Sequence, residues 1–161
     1  MKSAIIYYSW TGKTDTVAKV LQQITESDLL RLEEVKSRSS SPLSFIGACG
    51  SALFGGKSKL RPLASDLKAY DTLYLGSPIW AGRNAPALNA FISNTDLSGK
   101  KVYLFITQGD VKTPQAVYDS LKLRIEAHGG KIMGSTFIQT AMKEALDPEK
   151  VRQPLTAWLK K

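Results

Sequence analysis

A short hydroxyl-rich loop decides the fold of this chain: it is SWTGKT, residues 9–14. The loop follows residues 3–8, an apolar run of β-forming side chains that is typical of a strand buried on both faces. In residues 14–25 the apolar period becomes helical and places Val17 and Leu21 on one face. The sequence therefore predicts strand, loop and helix, the opening unit of a parallel α/β sheet.

This loop is chemically suited to a phosphate group. A phosphate there would meet backbone N–H groups, the positive end of a helix dipole and the hydroxyls of Ser9, Thr11 and Thr14. Gly12 allows close approach of the main chain and a turn that a Cβ would hinder. The same composition is common in an ordinary helix cap, so both interpretations stand on the loop alone.

Two other phosphate-binding patterns are excluded by spacing. A nucleoside-triphosphate loop ending at Gly12-Lys13-Thr14 needs a glycine five residues before Gly12, where the chain has Tyr7. The same pattern ending at Gly56 needs a glycine where the chain has Ser51. No G-x-G-x-x-G pattern for a dinucleotide occurs anywhere in the chain.

Strand and helix patterns alternate along the remaining chain. Further strands are predicted at residues 29–35, 70–76, 101–107 and 131–139. Helix starts are predicted at Pro86, at Thr113-Pro114 and at Asp147-Pro148, and Pro154 predicts that the last helix is kinked or begins late. Such alternation predicts a doubly wound α/β sandwich of three layers with a five-stranded parallel sheet. Ligands of such sheets bind beyond the carboxyl ends of the strands, so the loops after strands one, three and four are the candidates.

The amino-acid composition excludes several kinds of functional site. The 161 residues fit one domain and carry a net charge of +8, one cysteine and one histidine. A disulfide, a CxxC pair and a Cys/His zinc site are thereby excluded within the chain, so redox chemistry requires a bound cofactor and no metal is expected. No apolar run approaches the ~20 residues of a membrane span, and we expect a cytoplasmic protein.

Between Glu34 and Asp66 the chain has five basic residues and no acidic one, and four of the five lie in an insert, rich in serine and glycine, at about residues 37–61. A solvated loop is the first interpretation of this insert, and docking to an acidic redox partner is the second. Nucleic acid is a distant third, because the basic residues do not alternate with aromatic ones: Phe45 and Phe54 both lie in the uncharged stretch between Arg38 and Lys57.

The loop after the third predicted strand, residues 76–86, carries Trp80 between a proline and a glycine. An indole at the tip of such a loop can stack on a flat conjugated ring. The alternative is a tryptophan that covers the end of the sheet.

These three loops together resemble the loops of the flavodoxin family over essentially the whole chain. The first is similar to the family's phosphate loop, Ser/Thr-x-Thr-Gly-x-Thr, and the segment from Tyr70-Asp71 through Trp80 to Phe91 is similar to its first flavin loop. Residues 107–110 occupy the place of its second flavin loop, and the unbroken fifth strand resembles the short-chain form of the family. The resemblance implies a strand order of 2-1-3-4-5 and FMN as cofactor.

The resemblance also implies roles for individual residues. The FMN phosphate would be held by the first loop, with Trp10 and Lys13 supplying main-chain N–H groups. Trp80 would cover one face of the flavin ring, and Gln108, Gly109 and Asp110 would contact its pyrimidine edge or its other face. The implied cofactor-binding residues are Ser9, Trp10, Thr11, Gly12, Lys13, Thr14, Ser77, Pro78, Ile79, Trp80, Ala81, Gly82, Gln108, Gly109 and Asp110.

Three functions follow as alternatives. The first is electron transfer between redox partner proteins by bound FMN, and the second is an FMN-dependent NAD(P)H oxidoreductase similar to quinone reductases. The third is a non-redox α/β module that binds another phosphorylated ligand. Carrier flavodoxins are acidic, whereas this chain has a pI near 9.6, and a basic side chain such as Arg83 near the ring would raise the reduction potential.

Overall fold

Six strands form one sheet in the computed structural model, which describes residues 2–36, 58–109, 115–141 and 144–160. The order β2-β1-β3-β5-β6 is parallel throughout, and β4 pairs antiparallel with the end of β3. The predicted winding 2-1-3-4-5 is thus confirmed, with β4 as an addition that the sequence did not reveal. The strands are β1 Ser3–Tyr7, β2 Asp28–Arg31, β3 Thr72–Trp80, β4 Arg83–Asn84, β5 Lys101–Gln108 and β6 Lys131–Gln139.

Helices cover both faces of the sheet and divide the core into two clusters. Alternate side chains of β1 show the division: Ile6 packs in the cluster that contains α2 and α3, and Ile5 packs in the cluster that contains α1 and α4. Both isoleucines are fully buried, as a parallel sheet between two helical layers requires. The helices are α1 Lys13–Thr25, α2 Pro86–Ser93, α3 Gln115–Ala127 and α4 Pro148–Leu159, with a short 3₁₀ helix at Leu67–Ala69.

Helix α4 begins where the cap signal predicts. The Asp147 carboxylate accepts a hydrogen bond of 3.0 Å from the Glu149 backbone N–H, and Pro148 occupies the first helical position. The helix continues through Pro154 to Leu159, so the expectation of a late start was wrong. The cap predicted at Thr113-Pro114 lies outside the described residues.

Two strands differ from their predicted bounds by more than one residue. β2 ends at Arg31, because residues 33–35 turn away to pair with residues 59–61, where Glu34 and Leu60 form an antiparallel bridge. The last residues of the basic insert are therefore hydrogen-bonded to the segment that follows β2. β3 extends to Trp80 and so includes four residues that were predicted as loop.

Candidate functional site

The carboxyl ends of β1, β3 and β5 meet at one edge of the sheet. The Tyr8 N–H donates a 3.0 Å hydrogen bond to the Gly76 carbonyl, and Pro78 of β3 lies in register with Thr107 of β5. The loops that follow these strands are therefore neighbours, as the sequence predicted for the place where the winding reverses.

Gly12 is the N-cap of α1, and its backbone has a left-handed conformation with φ of +87°. No side chain caps this helix, so no side-chain acceptor occupies its first-turn N–H groups in the part of the chain that the structure describes. Among the described residues, a Cβ added at Gly12 would meet nothing within 4 Å, and this part of the structure leaves the cap open to a ligand. The end of α1 therefore has the donors and the dipole that an anion requires.

The hydroxyls of the first loop have different environments. Ser9 is 3% exposed, and its Oγ has no hydrogen-bond partner among the described residues. Thr14 Oγ1 lies 2.8 Å from Thr107 Oγ1, and both threonines are buried. Since one hydrogen bond uses only one of these two hydroxyl protons, the pair still has a proton to donate. Thr11, in contrast, is exposed.

Two basic side chains form hydrogen bonds with this loop or from it. The Lys13 ammonium donates to the Ala141 carbonyl after β6, and Arg31 Nη2 donates to the Ser9 carbonyl at 2.9 Å. Arg31 Nη1 also lies 3.9 Å from Asp15 Oδ1. Lys13 is thus compatible with the predicted main-chain role, because its side chain is directed to another loop.

Asp15 is held in the first turn of α1 by three partners. Tyr7 Oη donates to its Oδ1 at 2.6 Å, and Lys19 Nζ lies 2.8 Å from its Oδ2. Burial alone would raise the pKa of Asp15, but the hydrogen bonds from Lys19 and Tyr7, with the charge of Arg31, lower it. Burial, with the hydrogen bond to Asp15, raises the pKa of Tyr7.

This lowered pKa predicts a pH-dependent contribution to stability. A carboxyl group whose pKa is lower in the folded state than in the unfolded state stabilises the fold at pH values above its ordinary pKa of 3.8. This stabilisation disappears as the pH falls through the pKa of the folded state. We expect the parent to have a higher free energy of unfolding in urea than Asp15→Asn. This difference should be largest near pH 7 and should shrink below about pH 4. A difference that stays constant with pH would contradict this assignment.

Trp80 ends β3 and belongs to the buried core at this edge. Its ring centroid is 5.7 Å from Tyr8 and 5.4 Å from Trp10, with both pairs edge-to-face. Trp80 is 6% exposed, whereas Trp10 is partly exposed. Trp10 of the first loop and Trp80 of β3 thus pack together, although the sequence predicted separate roles for them.

Ala81 and Gly82 form the two-residue turn between β3 and β4. Their φ values are +47° and +71°, which is the pattern of a type I′ hairpin turn. Ser77 and Pro78 precede this turn inside β3, and the Ser77 hydroxyl donates to the Pro78 carbonyl at 3.1 Å. The prediction of a loop over residues 76–86 was therefore wrong for residues 77–80 and 83–84, because β3 continues to Trp80 and folds back into β4 as a hairpin.

The end of β5 supplies the remaining predicted residues. Gln108 is buried, and its carbonyl accepts a 2.7 Å hydrogen bond from the Thr140 N–H. Gly109 is exposed just beyond the strand, and Asp110 lies outside the described residues. The structure thus places Gln108 and Gly109 at the same sheet edge as the first loop.

Comparison with known proteins adds an independent observation. The sequence profile of the family described as Flavodoxin matches residues 2–148. The chain belongs to the flavodoxin family. Among curated proteins, no relative matches the sequence.

Solved structures similar to this flavodoxin-family chain share its fold. A candidate flavoprotein from Bacteroides uniformis is 24% identical with a TM-score of 0.78, and the match covers 99% of this chain and 98% of that one. A flavoprotein in complex with FMN from Lactobacillus acidophilus is 22% identical, with a TM-score of 0.69 over 84% of this chain and 92% of that one. Oxidised flavodoxin 2 from Bacillus cereus is 22% identical, with a TM-score of 0.59 and 99% coverage of both chains.

A cavity of about 280 Å³ lies beside the first loop of this flavodoxin-family fold. The residues that line it are Tyr8, Ser9, Trp10, Arg31, Leu32, Glu33, Glu34 and Arg61. Arg31 is the functional candidate that sequence reasoning missed. Its position had no clear signal, because the second strand was predicted to continue to residue 35, which places Arg31 in the middle of that strand and not at its carboxyl end.

The described residues contain neither a metal-binding cluster nor a membrane-spanning helix. Within those ranges, no group of three or more His, Cys, Asp or Glu side chains could hold a metal ion. The helices of the same ranges include none whose length and apolar character would let it cross a membrane.

Proposed function

We propose that this chain binds FMN without a covalent bond and transfers electrons between redox partner proteins. The observation that carries the proposal is the open, glycine-capped end of α1 beside the unpartnered hydroxyl of Ser9. Family membership supports it, as does the shared fold of the flavoprotein solved in complex with FMN. The cytoplasmic location and the acidic character of a partner remain predictions.

The residues of the first loop fit a phosphate monoester. The α1 N–H groups and the Ser9 hydroxyl need acceptors, and a phosphate offers three acceptor oxygens close together. Thr11 is exposed, and the Thr14–Thr107 pair has one hydroxyl proton left to donate. These groups would hold the phosphate mainly through neutral donors.

The flavin ring would lie against the aromatic and backbone groups at the same edge. Trp80, with Ile79, Ala81 and Gly82, stays the proposed contact of one side, and the structure suggests including Trp10, which packs on Trp80. Gln108, Gly109 and Asp110 stay the proposed contacts of the second loop. When bound, the flavin supplies one- and two-electron transfer, which the side chains of this chain cannot.

Titration of the flavin-free protein with FMN tests the proposal. We expect tight binding, with quenched flavin fluorescence and a shifted absorbance spectrum, and reduction of the complex by a partner reductase. Protein that takes up no FMN would refute the proposal and favour another phosphorylated ligand. Oxidation of NAD(P)H by the purified complex alone would instead indicate the oxidoreductase.

Gly12→Ala tests whether the phosphate lies at α1. Placing a Cβ at φ +87° costs about 1 kcal/mol of backbone strain and shifts the N–H groups, so we expect FMN affinity to fall about tenfold. Gly99→Ala is the matched control, because its φ is +72° and its Cβ would also meet no described residue within 4 Å. Gly99 lies before β5, at the opposite end of the sheet.

The two variants should therefore lose similar stability and differ in binding. Urea unfolding measures the first quantity and fluorescence titration with FMN the second. Equal FMN affinity in both variants would show that the phosphate is bound elsewhere.

A further inference from the structure

Arg31 connects two parts of the phosphate loop from outside. It is the last residue of β2 and pairs with Tyr7 of β1, and its guanidinium reaches the start of the loop. Nη2 donates to the Ser9 carbonyl at 2.9 Å, while Nη1 faces Asp15 Oδ1 at 3.9 Å. One planar group therefore contacts both the first loop residue and the first turn of α1.

The contact with the Ser9 carbonyl has a consequence for the next residue. The Ser9 carbonyl and the Trp10 N–H belong to one planar peptide unit, and this unit is trans, since the described residues contain no cis peptide bond. In a trans peptide the C=O and N–H bonds point in opposite directions. Arg31 therefore directs the Trp10 N–H away from itself, toward the other side of the loop.

Asp15 in turn restrains Arg31. Its carboxylate is fixed by Tyr7 and Lys19, and its side chain is only 18% exposed, so it offers the guanidinium a stationary partner. The Arg31 side chain is 47% exposed and would have many conformations without this contact.

We propose that Arg31, held by Asp15, is a positioning residue that presets the Ser9–Trp10 peptide for the phosphate of the flavin nucleotide. The inference rests on the proposed function, because it assumes that the phosphate lies in this loop. Arg31 acts through the peptide and need not touch the phosphate. Its loss should therefore weaken only those ligands that carry a phosphate.

FMN and riboflavin, which differ only by the phosphate, separate this role from a general structural one. We expect Arg31→Gln to raise the dissociation constant of FMN about tenfold and to change that of riboflavin less than about twofold. Equal losses for the two flavins would overturn the proposal. If the parent protein binds neither flavin, the proposed function fails instead.

Arg61→Gln is the matched control for charge. Arg61 borders the same cavity, and its Nη1 lies 3.9 Å from Glu33 Oε2, but within the described ranges it makes no hydrogen bond to the loop. We expect FMN affinity within about twofold of the parent, and the loss in Arg31→Gln should persist at about 0.5 M KCl, where long-range attraction is screened. A similar loss in both variants, or a loss that disappears in salt, would show that only net charge matters.

Two more variants test the geometry. Arg31→Lys keeps the charge but cannot contact Ser9 and Asp15 with two nitrogens, so FMN affinity should still fall at least about threefold. Asp15→Asn should also weaken FMN, and adding it to Arg31→Gln should cause little further loss. Full affinity in Arg31→Lys, or additive losses in the double variant, would overturn the proposal.

Discussion

Gly76→Ala is expected to lower the free energy of unfolding by about 3 kcal/mol. Gly76 lies in β3 opposite Phe105 of β5, and a Cβ at Gly76 would be 2.0 Å from the Cζ atom of that ring. Phe105 is fully buried between the sheet and its helices, so its ring can move only by displacing other core side chains. Urea unfolding followed by circular dichroism measures the loss.

Two further variants show whether the ring is the cause. Gly109→Ala is the control, because within the described ranges its Cβ would meet only the Thr140 carbonyl oxygen, at 3.9 Å. It should change stability by less than about 1 kcal/mol. Phe105→Leu removes the three ring atoms that lie nearest the new methyl group, so it should partly rescue Gly76→Ala. Strictly additive losses in the double variant would contradict the packing argument.

Trp80→Ala is expected to lower the free energy of unfolding by about 4 kcal/mol and to weaken FMN binding. The indole is almost fully buried and has Tyr8 and Trp10 edge-on against it, so its removal leaves a large cavity at the sheet edge. Under the proposed function the same cavity removes a ring contact of the flavin. Bound FMN should therefore regain fluorescence, which a titration detects directly.

Trp158→Ala is the matched control for the loss of an aromatic group. Trp158 also has two edge-on neighbours, Tyr74 and Tyr103, but it belongs to the core cluster on the α1 and α4 side of the sheet. It should destabilise the protein and leave FMN affinity unchanged. Trp80→Phe should retain more stability and affinity than Trp80→Ala, and equal FMN affinity in Trp80→Ala and the parent would disprove the ring contact.

The order of elements could be predicted because each has a strong local signal. The predicted bounds of β6 agree with those observed, and Asp147 caps α4 as expected, since both depend on neighbouring residues only. The loop of residues 9–14 was also predictable, because a glycine among hydroxyls directly before a helix is a local pattern.

The remaining features depend on contacts between distant residues. β3 extends through Pro78 because β5 continues beside it, and the pairing of Pro78 with Thr107 has no signal in the local sequence. Ala81 hides the hairpin, because a left-handed turn position usually contains glycine or asparagine. Arg31 was missed for the same reason, since its contact with Ser9 spans 22 residues of chain.

The sheet also has consequences for how copies of this protein behave in concentrated solution. In the part of the chain that the structure describes, nine-residue β6 forms one border of the sheet and pairs only with β5. A strand with one open side can recruit a second copy and start aggregation. Lys131 on β6 and Lys101 beside it are exposed, and every copy carries a net charge of +8. Mutual repulsion between such copies keeps the open strands apart, so this basic chain resists aggregation best at low ionic strength.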